Sequence, residues 1–156
     1  VGQWIKEQLR HGCRPHEIGV FVRSDPQLSR VRKALGLAGI AGSEPSEEGG
    51  SVDGAVTIST MHFAKGLEFR AVAIMGCDDE VIPLQERIES VADDADLEEV
   101  YDTERHLLYV ACTRARDHLM VTGVEPASEF LDDFLVANVN RNLPYILQTK
   151  FLHEVL

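Results

Sequence analysis

Four short apolar runs, at 18–22, 56–59, 71–75 and 119–122, alternate along this chain with stretches of helical spacing. Runs of that length, rich in β-branched residues, read as strands buried on both faces. Strands that alternate with helices must pair in parallel, because a crossover is needed to return to the same edge. The chain is therefore expected to fold as an α/β domain with a mostly parallel sheet. The first helix carries Trp4, Ile5 and Leu9 inward and stops near Gly12 and Pro15. Asp25-Pro26 resembles a cap followed by proline at the first helical position. The helix it opens points Leu28, Val31 and Leu35 inward and Arg30, Arg32 and Lys33 outward. A long helix is expected over 97–115, with Val100, Glu104, Leu107, Leu108, Ala111 and Ala115 near one face. Phe130, Leu131, Phe134 and Leu135 mark another helix, and 144–156 a last one. The Gly/Ser-rich stretch 41–54 reads as a linker.

A length of 156 residues suits one domain with a core of its own. No apolar run approaches the roughly 20 residues of a membrane helix, and no leader pattern is seen, so a cytoplasmic home is expected. Cys13, Cys77 and Cys112 lack C-x-x-C spacing and read as reduced thiols. The net charge of −11 argues at first against a phosphate-rich partner. The distribution of that charge removes the objection. Segment 78–104 holds 12 acidic residues and one basic residue, Arg87, which leaves 14 of each sign elsewhere. Such a block is expected to be a solvated loop.

Two patterns imitate metal or nucleotide sites. The strand at 71–75 followed by Asp78-Asp79-Glu80 mimics a magnesium-binding strand end, but no G-x-x-x-x-G-K-[ST] precedes it. His11, Cys13 and His16 offer three zinc ligands without a fourth, so no metal site is expected.

Two other segments hold chemistry a scaffold does not need. Thr60-Met61-His62-Phe63-Ala64-Lys65-Gly66-Leu67-Glu68-Phe69 closes a strand with a hydroxyl, an imidazole, a cation, a glycine and a carboxylate. Each offers a different hydrogen bond to a polyphosphate or a nucleic-acid backbone. Glu104-Arg105-His106-Leu107-Leu108-Tyr109-Val110-Ala111-Cys112-Thr113-Arg114-Ala115-Arg116 places a tyrosine, a threonine and two arginines on the expected long helix.

Both segments resemble the last two conserved motifs of superfamily 1 DNA helicases of the UvrD/Rep type. The resemblance spans about residues 15 to 123 and implies a RecA-like, P-loop NTPase-type three-layer domain without its own P-loop. It identifies 1–137 as the second motor domain of such an enzyme, with 138–156 a helical extension. The family implies that Arg114 acts as an arginine finger on ATP and that Arg23 reaches its terminal phosphate. Glu68 takes the ribose hydroxyls, Gly66 lets backbone approach a phosphate, and Lys65 serves phosphate or orients the loop. Thr60 and His62 fall where the family touches single-stranded DNA. Glu104 and Arg105 match an E-R pair expected in an internal ion-pair network. Many members carry a tyrosine before the arginine of Arg23, to stack on adenine; here it is Val22. The linker 41–54 stands where better-known members insert an accessory subdomain.

The implied whole is an ATP-driven helicase or translocase, moving 3′ to 5′, with its P-loop and magnesium ligands in an N-terminal RecA-like domain. Two alternatives stay open: the motor half of a helicase–nuclease machine, and a degenerate RecA-like module used only for protein contacts.

Overall fold

A computed structural model of the chain describes residues 1–45 and 52–132, together with the backbone of 145–147. Its elements are α1 (Gly2–Arg10), β1 (Ile18–Val22), α2 (Leu28–Ala38), β2 (Gly42–Ser43) and β3 (Val56–Thr60), then β4 (Phe69–Met75), α3 (Gln85–Glu89), α4 (Asp94–Cys112), β5 (Ala115–Thr122) and β6 (Tyr145–Leu147). The six strands form one sheet in the order β2-β3-β1-β4-β5-β6, and every neighbouring pair is parallel.

Every residue of β1 and β3 is buried, as strands sandwiched between helix layers must be. On one face α1 and α2 bring Trp4, Ile5, Val31 and Leu35 onto Ile18, Val20, Val22, Val56, Ile58, Ala71 and Ala73. On the other, α4 brings Leu108, Ala111 and Cys112 onto Phe21, Phe69, Val72, Ile74, Leu119 and Val121. Burying each large apolar side chain stabilises by roughly 1.5–3 kcal/mol. Strict alternation would put Phe69 on the same face as Ala71. A register shift between them turns Phe69 to the opposite face, where it meets Phe21 edge-on at 5.8 Å. The expected α/β three-layer fold is the observed one.

The structure corrects several boundaries. The long helix runs Asp94–Cys112 instead of 97–115, so Thr113 is its C-cap, Arg114 lies beyond it, and Arg116 is in β5. It begins early because the Asp93 side chain accepts hydrogen bonds from the N–H groups of Ala95 and Asp96, and because acids in a first turn suit the helix dipole. The acidic segment 78–104 is accordingly not a loop: it contains α3 and the first eleven residues of α4. Helix α2 is entered through a 3₁₀ turn, Asp25–Gln27, with Ser24 at the cap position in place of Asp25. Arg30 is half-buried, pairing with Asp78 at 2.6 Å. Within the expected linker, Gly42–Ser43 joins the sheet beside β3, and 46–51 lie outside the described residues. Residues 145–147 form a strand on β5, not part of a helix. Phe134, Leu135 and the rest of 138–156 lie outside the described residues.

Candidate functional site

At the end of β3, Thr60 is buried and passes into a 3₁₀ turn, Met61–Ala64. Met61 and Ala64 anchor that turn in the core beneath α4, which turns His62 and Phe63 outward. Phe63 is 69% exposed. The turn closes with Leu67 N–H donating to the Ala64 carbonyl at 3.1 Å. Gly66 sits at φ +83° with no atom within 4 Å of where a Cβ would be, so the position needs glycine for its backbone and leaves open space above it. Lys65 and Glu68 are exposed on either side. Neither makes a hydrogen bond or ion pair among the described residues.

The stretch 65–68 runs back toward the amino ends of β4 and β5, where it meets Arg114. Phe69 N–H donates to the Arg114 carbonyl at 2.9 Å. The Arg114 guanidinium curls over the last turn of α4: Nε donates to the Val110 carbonyl at 3.1 Å, Nη2 to Thr113 Oγ1 at 3.2 Å and Nη1 to the Leu67 carbonyl at 3.4 Å. All these acceptors are neutral. No carboxylate compensates Arg114 among the described residues, so its charge stays available to an incoming anion.

Arg23 is in the opposite situation. It follows Val22, which pairs with Thr60 at the carboxyl ends of the strands. Its Nε and Nη2 donate to Glu104 Oε2 and Oε1, both at 2.6 Å, with the two side chains 4% and 0% exposed. Arg87 donates to Oε1 at 2.7 Å and Leu84 N–H to Oε2 at 3.3 Å. Burial opposes ionisation of Glu104, but the two guanidiniums prevail and hold its carboxyl below the usual range. Arg23 is thus not presented to a phosphate in this structure, and Arg23 and Arg114 lie toward opposite ends of the sheet.

A sequence profile of the UvrD-like helicase C-terminal domain family matches residues 26–125. The chain belongs to that family. The ATP-dependent DNA helicase PcrA of Staphylococcus epidermidis is 48% identical over 100 residues, which is 64% of this chain and 12% of that protein. PcrA of Bacillus subtilis is 39% identical over 87 residues (56% of this chain, 11% of that protein), and DNA helicase II of Rickettsia typhi is 39% identical over 79 (51% and 11%). The chain therefore spans about one eighth of the length of these relatives. The C-terminal domain of a possible DNA helicase from Lactobacillus plantarum WCFS1 shares the fold, with a TM-score of 0.57 at 23% identity over 94% of this chain and 76% of the other.

In this UvrD-like domain the structure gathers Lys65, Gly66, Glu68 and Arg114 in one region and sets Thr60 and His62 at the other end of the same turn. Glu104 pairs with Arg23 and Arg87, and Arg105 stacks 4.8 Å over the Phe130 ring and pairs with Asp102 at 3.4 Å. Arg87 is the residue that sequence reasoning missed. Its signal was its isolation as the one cation among 12 acids. Asp78, which imitated a magnesium ligand, accepts from Arg30 and from Val124 N–H at 2.7 Å and so holds the loop after β4. His16 turns to Asp53 at 3.1 Å. Burial drives the Cys112 thiol up to about 12 and raises Cys77 as well, which removes both as nucleophiles.

Proposed function

We propose that this domain is the second motor half of an ATP-driven DNA helicase or translocase, moving 3′ to 5′ along single-stranded DNA. The observation that carries the reading is Arg114: an arginine whose acceptors among the described residues are all neutral, beside an open glycine turn. Named relatives that are DNA helicases support it. The residues present suit half of a nucleotide site. Gly66 leaves room for a phosphate, Lys65 supplies a cation, Glu68 can accept from ribose hydroxyls, and Arg114 can spread its donors over phosphate oxygens. The phosphate-cradling loop and the magnesium ligands belong, in this reading, to an N-terminal RecA-like partner domain.

Bound ATP would then lie between the two halves. Closure would bring Arg114 to the charge that develops on the transferring phosphoryl group, where a planar cation counts most. Thr60 and His62 would hold phosphate oxygens of the strand without reading its bases, so that opening and closing becomes a step.

The test is ATP turnover by the full-length protein at saturating single-stranded DNA. Arg114→Ala should lower kcat by about 10³ or more, the scale of an arginine finger, while nucleotide binding is largely kept. Turnover that survives in Arg114→Ala and disappears in Arg116→Ala would put the finger on the wrong residue.

A further inference from the structure

An exposed apolar side chain means nothing by itself. What distinguishes Phe63 is how it is mounted. Phe21, Phe69 and Phe130 are buried, whereas Phe63 is 69% exposed. It stands on the 3₁₀ turn Met61–Ala64, and in such a turn side chains three residues apart share a face. Met61 and Ala64 both belong to the core beneath α4, so the turn commits His62 and Phe63 to solvent. Both ends of the turn are tied. Before it, Thr60 pairs with Val22 in the sheet; after it, Leu67 N–H closes on the Ala64 carbonyl at 3.1 Å. The fold holds this ring out.

The neighbours decide what the ring can meet. Between Thr60 and Gly66, Phe63 is the one apolar side chain that is exposed. A protein partner would be met by a contiguous apolar patch, which this turn does not offer. The other exposed side chains of the turn are His62 and Lys65, an imidazole and an ammonium. No acid occurs between Asp53 and Glu68, in a chain with 26 acids among 156 residues. A flat ring beside donors and a cation, with no acid contributed by the turn, matches the two halves of a nucleotide. The ring suits the base, and the donors suit the phosphate.

We propose that Phe63 is a stacking platform for a base of the bound single strand. The inference rests on the single-stranded DNA reading above, which gave the phosphates partners and the bases none. Every base has a π-face, so the contact adds affinity without adding sequence preference, as stepping along any strand requires. Stacking displaces no counterions from the backbone, so this share of the affinity survives salt.

The test is anisotropy with the full-length protein, without nucleotide, on two labelled strands. One is an oligothymidylate of about 16 nucleotides, and the other is the same backbone with abasic sites throughout. Phe63→Ala should weaken binding of the oligothymidylate about tenfold and of the abasic strand less than about twofold. Phe63→Trp keeps a π-face and should stay within about twofold of wild type, whereas Phe63→Leu, apolar without one, should fall with Phe63→Ala. The loss in Phe63→Ala should persist at high salt, while the loss in Lys65→Ala should shrink. An equal loss on both strands, or wild-type affinity in Phe63→Leu, overturns the proposal. Unchanged DNA affinity in Phe63→Ala with lowered ATP turnover also overturns it, and assigns the ring to a contact with another part of the protein. A lowered melting temperature in Phe63→Ala would mean that the ring packs within the fold, which is equally fatal. A wild-type protein that binds neither strand would instead sink the DNA reading beneath the proposal.

Discussion

Arg114 and Arg23 carry the same side chain into opposite electrostatic settings. Arg114 rests on carbonyl and hydroxyl oxygens, whereas Arg23 is locked in a two-pronged pair with a buried carboxylate. A guanidinium that is already neutralised gains little from a second anion, so of these two arginines Arg114 is the one whose charge is uncompensated among the described residues. Arg114→Lys should rescue little of what Arg114→Ala loses, because an ammonium cannot reproduce the planar fork. The buried pair also predicts an acid response. The Glu104 carboxyl is depressed in the fold, so the pair stabilises above the unfolded value of about 4.3 and that contribution is lost as pH falls through the folded value. Asp117, held down to about 2 by Arg116 and Arg70, loses its contribution over a similar acid range. Glu104→Gln should therefore lower the melting temperature at pH 7, and the gap from wild type should narrow as pH drops below about 4.3. Thermal melts across pH 3–7 measure it. A gap that widens in acid would mean that Glu104 is protonated in the folded state.

At the scale of elements, α4 shows what the sequence could and could not disclose. Its apolar period was legible: Leu108 and Ala111 are buried as the spacing implied. Its ends were not. Twelve acids in one segment resembled repulsion strong enough to keep a loop open, yet Asp94 and Asp96 occupy a first turn where exposed N–H groups favour them. At the other end, apolar spacing continued through Ala115, but pairing of Ala115 with Phe69 drew that residue into β5. This moved Arg114 from a helix to a junction, which is where it meets the 65–68 turn. The motif residues were legible as chemistry; their grouping depended on sheet register, which no local pattern encodes. The cap itself can be tested. Asp93→Ala should cost about 1 kcal/mol through loss of two N-terminal hydrogen bonds, while Asp93→Asn, still a good cap, should cost much less. Equal melting temperatures for the two variants would show that charge alone mattered at this position.

At the scale of the molecule, charge limits how tightly the proposed DNA contact can hold. The excess of acid is confined to 78–104, and the remainder carries 14 acidic and 14 basic residues, so the sequence outside that block has no net positive charge to gather counterions. Several cations outside that block are already used: Arg23 by Glu104, Arg30 by Asp78, Arg70 and Arg116 by Asp117. Near Thr60 and His62 the one exposed cation of the turn is Lys65. In the proposed contact a hydroxyl and an imidazole would hold phosphate oxygens, and neither is a lysine or arginine cation. Binding of single-stranded DNA by this domain should therefore be weak, in the range of about 10⁻⁴ M typical of non-specific contacts, and only mildly sensitive to salt. With one or two phosphates neutralised, the slope of log affinity against log salt should be shallower than about −1.5, since each contributes about −0.7 on a single strand. Anisotropy titrations at several salt concentrations provide that slope. A slope steeper than about −3 would require four or more cations along the strand and a basic track that the described surface does not contain.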